Sequence, residues 1–196
     1  MVGLCLIVVK QKNKMSKILY LHGFSSCGEG NKSTALKAHF GENTIDSPDL
    51  KPSPLETIAM LESLLKTSEY TLIIGSSLGG FYATYLAEKY KIKTVLLNPS
   101  TQPWETLASY VGWQKRFCDD KMFEFKSAYI EELKSLHTIP LYGEYLLLLQ
   151  SEDEVLDYTK AQSLYNKHKV IVEYGGNHRF ENIDAYMSMI EKFKNK

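Results

Sequence analysis

Several things are scarce in this chain, and each scarcity closes off a class of function. The 196 residues carry no net charge, with 23 Lys+Arg against 23 Asp+Glu. No block of like charge stands out, so the sequence has no electrostatic footprint for nucleic acid or an acidic membrane. Cysteine is nearly absent: Cys5, Cys27 and Cys118 are widely spaced, odd in number, and form no CxxC pair. That argues against a disulfide framework and a zinc site, and suits a reducing compartment such as the cytoplasm. No apolar run reaches the roughly 18 residues of a membrane span. No internal repeat or low-complexity segment is visible. No metal or organic cofactor is implied.

What remains is an ordinary globular composition, 44% hydrophobic and 23% charged, at a length that fits one domain. The start is unusual. "MVGLCLIVVKQKNKM" places a basic polar stretch after an apolar run, the reverse of a secretory signal. Residues 1–14 are expected to be a tail or an edge strand without chemistry, or to precede a functional start at Met15. The domain itself is expected over 15–196.

Short apolar runs alternate with helical patterns. "KILYLHG" (17–23), "NTIDSP" (43–48), "YTLIIGS" (70–76), "KTVLLNP" (93–99), "EYLLLLQS" (144–151) and "KVIVEYGG" (169–176) read as strands. Several are apolar at consecutive positions, the mark of strands covered on both faces of a parallel sheet. Between them, "SPLETIAMLESLLK" starts with a capping box at Ser53 and Glu56 and has a stripe of Leu55, Ile58, Leu61 and Leu65. "NIDAYMSMIEKFK" places Ile183, Tyr186, Met187, Ile190 and Phe193 on one face. The pattern predicts an α/β fold with a mostly parallel central sheet and helices on both sides. The aromatic-rich stretch at about 101–139 is expected to form two or three helices, either a small lid or a larger crossover.

The chemistry centres on "GSSLG" at 75–79. Only Ser77 is framed as G-x-S-x-G, by Gly75 and Gly79. A buried-type strand precedes it and a helical pattern follows, the setting of a nucleophile held on a strained turn. A phosphate loop would need a lysine after the glycines, and none is there. A serine hydroxyl needs a base. Of five histidines, His178 in "EYGGNHRFEN" lies between the last strand and the last helix, a loop that reaches the C-terminal edge of the sheet. The base needs an orienting carboxylate. Glu152, Asp153, Glu154 and Asp157 follow a strand, in the chain order Ser–Asp–His. Asp153 is the favoured member, just past the strand end. The amides of Leu78 and Phe24 are the expected oxyanion donors, with His22 orienting the Phe24 loop.

Five segments, "ILYLHGFSS", "IGSSLGGFYATYLAEKY", "LLNPS", "SEDEVLDY" and "GGNHRFENID", resemble the YqiA/YcfP-like esterases of the α/β-hydrolase superfamily. The resemblance runs from about residue 17 to the C-terminus. It implies a hydrolase of small acyl esters or thioesters, with Ser77 as nucleophile, Asp153 as acid and His178 as base. Where that pattern usually has glycine before the acid, this chain has Glu152, and its first fourteen residues have no counterpart. The same fold also serves non-catalytic binding modules and acyltransferases, so both stand beside the hydrolase expectation. Oligomeric state is not legible.

Overall fold

A computed structural model describes residues 16–196. The segment expected to be a tail or edge strand, 1–14, lies outside the described residues, as does Met15. The elements in chain order are β1 (Lys17–Leu21), α1 (Asn31–Phe40), β2 (Ile45–Asp46), α2 (Pro54–Thr67), β3 (Tyr70–Ser76), α3 (Leu78–Tyr90), β4 (Lys93–Leu97), α4 (Pro103–Thr106), β5 (Gly112–Lys115), β6 (Met122–Phe125), α5 (Ala128–Ser135), β7 (Tyr145–Gln150), α6 (Tyr158–Leu164), β8 (Lys169–Glu173) and α7 (Met187–Lys194).

Six strands form one parallel sheet in the order β2-β1-β3-β4-β7-β8. Successive side chains of each strand enter different cores, which is why the runs are apolar without alternation. Ile18, Tyr20, Leu72, Ile74, Val95, Leu97, Leu146 and Leu148 pack with Leu36 of α1 and Met187 and Ile190 of α7. Their neighbours Leu19, Leu21, Ile73, Leu96, Leu147 and Leu149 pack on the other side with Ile58, Leu61, Phe81, Leu86, Leu133 and Ala161, from α2, α3, α5 and α6. Helices therefore cover both faces.

The strand order reverses direction between β1 and β3. Such a switch point opens a crevice at the C-terminal ends of the strands, and the Gly23 and Ser77 loops flank it. Among the described residues no helix is long and apolar enough to cross a membrane.

Three expectations need correction. Residues 101–139 are not purely helical: β5 and β6 form an antiparallel hairpin between α4 and α5. Its burial alternates in a two-residue period, as in a strand with one face covered, and each strand is only four residues long, too short for the pattern to stand out in the sequence. Leu55, placed on the buried stripe of α2, is 48% exposed. Ser53 does cap α2, accepting from the Glu56 amide at 3.2 Å, but the carboxylate that reaches its Oγ (2.7 Å) and the Leu55 amide (3.1 Å) belongs to Glu132 of α5.

The cysteine reading is corrected as well. Cys27, after β1, and Cys118, at the hairpin turn, are bonded as a disulfide, with Cα atoms 6.2 Å apart across 91 residues of sequence. Their spacing along the chain carried no sign of it, because the fold lays the hairpin over the β1 loop. Arg116 bridges the same region, with Nη2 at 2.6 Å from Cys27 Sγ and 2.8 Å from Asp49. The Phe117 amide donates to the Ser25 carbonyl at 2.8 Å.

Candidate active site

The turn from β3 into α3 is the centre of the site. Ser77 has φ of 53°, in the left-handed region that a residue with a side chain enters only at a cost. Its amide donates to Leu97 O at 3.1 Å, and its carbonyl accepts from Gly80 and Ser100. The framing glycines are steric requirements. A Cβ on Gly75 would lie 2.5 Å from Gly79 O and 2.7 Å from Gly80 Cα, and a Cβ on Gly79 would lie 2.1 Å from Leu21 O. The turn lets α3 start against β1 with its first N–H beside the serine. Ser76 is buried.

His178 reaches this serine. Its Nε2 lies 3.0 Å from Ser77 Oγ, and its Nδ1 lies 2.9 Å from both carboxylate oxygens of Asp153. The Asp153 side chain is 2% exposed and that of His178 18%, so the charged end of the array is shielded and the serine end is open. Asp153 Oδ1 also accepts from the Val155 and Leu156 amides, at 2.9 and 2.7 Å, which locks its rotamer. A carboxylate on Nδ1 fixes the tautomer that leaves Nε2 free to accept the serine proton.

The other three acids go elsewhere. Glu152 is exposed. Glu154 accepts the His178 backbone N–H at 2.9 Å, and that bond holds its carboxyl below the ordinary value. Asp157 caps α6, accepting from the Thr159 amide at 2.9 Å. The other histidines also have distinct surroundings: His39 pairs with Glu191, His137 packs edge-on against Trp104, and His168 faces the Pro140 carbonyl.

The two expected oxyanion amides flank the serine. Leu78 is the first residue of α3, where a helical N–H has no partner within the helix and the dipole is positive. The Phe24 loop comes just as close: a Cβ on Gly23 would sit 3.2 Å from Ser77 Cβ. Among the described residues the Phe24 N–H meets no protein acceptor. His22 organises this loop. It is 5% exposed, its Nδ1–H donates to Gly23 O at 2.8 Å, and its Nε2 accepts from the Leu50 amide at 3.0 Å. Burial lowers its pKa, and an Nε2 that accepts the Leu50 amide requires the neutral ring. The Phe24 ring packs edge-on against Tyr110, Phe123 and Phe125, joining the loop to the hairpin region.

Two residues escaped the sequence reading: Asn98, inside the "LLNPS" run, and Gln150, at the end of β7. Both are buried amides that bond to the loop bearing His178. A polar residue closing an apolar strand was the available signal. As for metals, one cluster of ligand-type side chains exists among the described residues, Cys27, Cys118 and Asp119. Its sulfurs are joined to each other and face a guanidinium, a poor setting for a cation.

Comparison with known proteins agrees with this architecture. The family model described as "Uncharacterised protein family (UPF0227)" matches residues 17–195. The UPF0227 protein VP0969 of Vibrio parahaemolyticus is 27% identical over 188 residues, covering 91% of this chain and 99% of its own. Among solved structures, the mouse alpha/beta hydrolase domain-containing protein 10 superposes with a TM-score of 0.72 at 16% identity, over 91% of this chain and 89% of that one. Est1E from Butyrivibrio proteoclasticus, solved with ferulic acid bound, gives 0.66 at 14% identity, over 93% and 88%. At such identities the superpositions establish a shared α/β-hydrolase fold.

Proposed function

The chain belongs to the UPF0227 family, and from that membership and the geometry of its site we propose that it is a serine hydrolase of small acyl esters or thioesters. The observation that carries this reading is the continuous array of Ser77 Oγ, His178 and Asp153, with contacts of 3.0 and 2.9 Å, on a turn whose nucleophile has a positive φ. The hydrolase domain named in the mouse fold neighbour adds support by analogy.

In this mechanism Ser77 Oγ attacks the acyl carbonyl as its proton passes to His178 Nε2. Asp153 stabilises the imidazolium without taking the proton. The amides of Phe24 and Leu78 receive the negative charge on the carbonyl oxygen. The imidazolium then protonates the departing alcohol or thiol, leaving an acyl ester on Ser77. Water, deprotonated by the same histidine, attacks that ester and releases the acid. The charges balance at each step within the protein's own residues. Removing one oxyanion donor from such a site typically costs about 10² to 10³ in kcat.

The test is fluorophosphonate labelling with mass mapping, followed by a panel of p-nitrophenyl esters and acyl thioesters. A single adduct on Ser77 and turnover of short acyl substrates are expected. An adduct on Ser76, or no adduct on folded protein, overturns the reading. Faster acyl transfer to added alcohols or amines than to water would instead mark an acyltransferase.

A further inference from the structure

The three side chains of the proposed reaction come from loops after three different strands, and the loop of His178 follows β8. It opens with Gly175 and Gly176, both at positive φ (106° and 78°). Glycine at such positions leaves many competing conformations. Yet His178 must meet Ser77 and Asp153 at the same time, so contacts from outside the loop are needed to hold it.

Asn98, the first residue past β4, supplies such contacts. It is 3% exposed and has φ of 41°. Its side-chain Nδ2–H group donates to the Asn177 carbonyl at 3.0 Å and to the His178 carbonyl at 3.5 Å. Its Oδ1 accepts from the Gln150 amide at 2.9 Å, and its own amide donates to Leu148 O at 3.1 Å. Gln150 extends the link: its Oε1 accepts from the Asn177 amide at 3.0 Å, and its carbonyl accepts from the Asp153 amide at 3.3 Å. On either side of Asn98, Leu97 O accepts from the Ser77 amide, and the Ser100 amide donates to Ser77 O. One short segment thus bonds to the serine turn, the acid-bearing strand end and the histidine loop.

We propose that Asn98 is a positioning residue for the Ser77–His178–Asp153 relay, its amide setting the depth at which the histidine loop sits over the serine. The proposal rests on the hydrolase reading for its kinetic consequence, but not for its structural one. The geometry calls for asparagine in particular. The position needs a left-handed backbone, which Asn and Asp tolerate best among residues with side chains. It needs one acceptor toward Gln150, and a donor toward two carbonyls. Aspartate satisfies the first two requirements and fails the third.

Asn98→Asp is therefore the informative change. It keeps the shape and the acceptor, and it turns an oxygen toward the Asn177 and His178 carbonyls. The expected result is a fall in kcat of about 100-fold, the scale of a 1 Å misplacement, with KM within about twofold and an unchanged circular dichroism spectrum. If Asn98→Asp does not fold, Asn98→Gly removes all three side-chain bonds while suiting the positive φ, and the same loss is expected. Adding Asn98→Asp to Asp153→Asn should cost less than about threefold more, because residues acting as one unit are not additive. Thr84→Val, which removes a buried bond to Tyr165, serves as the control: it should lower stability and spare kcat. The second readout is the low-field proton resonance of His178 Nδ1–H, expected in the wild type and shifted or lost in Asn98→Asp. If the wild type turns over no ester, the hydrolase reading fails, and the resonance alone decides the role of Asn98. An unchanged resonance, a kcat within twofold of wild type, or losses that multiply in the double variant overturn the proposal.

Discussion

The loops at the C-terminal edge of the sheet and the insertion at 101–139 lie side by side but are held in different ways. Around Ser77, His178 and Asp153, order comes from the parallel strands. Backbone bonds run from Ser77 to Leu97, from Asn98 to Leu148, from Ser151 to Glu173 and from Glu152 to Gly175. The hairpin of β5 and β6 has no share in that sheet. It exposes large apolar side chains, Trp113 at 69% and Phe117 at 77%. What ties it down is the Cys27–Cys118 link, Arg116, and the packing of Phe123 and Phe125 on Phe24. One region is positioned through many buried bonds, the other through a few attachments. Changes in the first should appear in chemistry, and changes in the second in stability.

The largest expected effect tests the first half of that contrast. Asp153→Asn should lower kcat on a p-nitrophenyl ester by about 10⁴, the cost of a wrong histidine tautomer in a serine protease, with folding intact. Glu152→Gln should stay within about twofold, since Glu152 is exposed. If Glu152→Gln is the crippled variant, the acid is misassigned.

Next comes the attachment of the hairpin. A link closing 91 residues restricts the unfolded chain by up to about 4.5 kcal/mol in the chain-entropy account. Cys118→Ser should therefore lower the urea midpoint sharply under non-reducing conditions, while the rate of fluorophosphonate labelling at Ser77 falls less than about tenfold. Equal urea midpoints for the variant and oxidised wild type would show that the link adds nothing. Loss of labelling with unchanged stability would erase the contrast between the regions.

A smaller effect comes from His22. Its folded pKa is lowered from 6.5, chiefly by burial, so the unfolded chain binds more protons just below that value. Its contribution to stability is then complete above about pH 6.5 and is lost as pH falls toward the folded pKa. Between about pH 7 and 5 the urea midpoint of wild type should fall more steeply than that of His22→Gln. Parallel slopes would show that His22 is not held neutral. The smallest effect is expected from deleting residues 1–14, which should leave turnover within about twofold. A large loss in folded protein would make that segment part of the site.

The amino-acid sequence by itself determined the six strands, their parallel arrangement and the serine turn, because each follows from interactions within a few residues. A strand covered on both faces must be apolar at consecutive positions, and "LLLL" at 146–149 says so without reference to anything distant. Gly75 answers a local collision, with the backbone of the helix that starts beside it. Tertiary structure decided the rest. The glutamate serving α2 is Glu132, 77 positions beyond Leu55. The partner of Cys27 lies 91 residues away. Of four acids in six residues, the one facing His178 is Asp153, because only the register of the β7 loop against the β8 loop selects among neighbours of like charge. Asn98 belongs with these. Its side chain bonds to groups 52 and 79 residues further along the chain. Such a role depends on which loops the sheet brings together, and spacing along a single chain does not encode that.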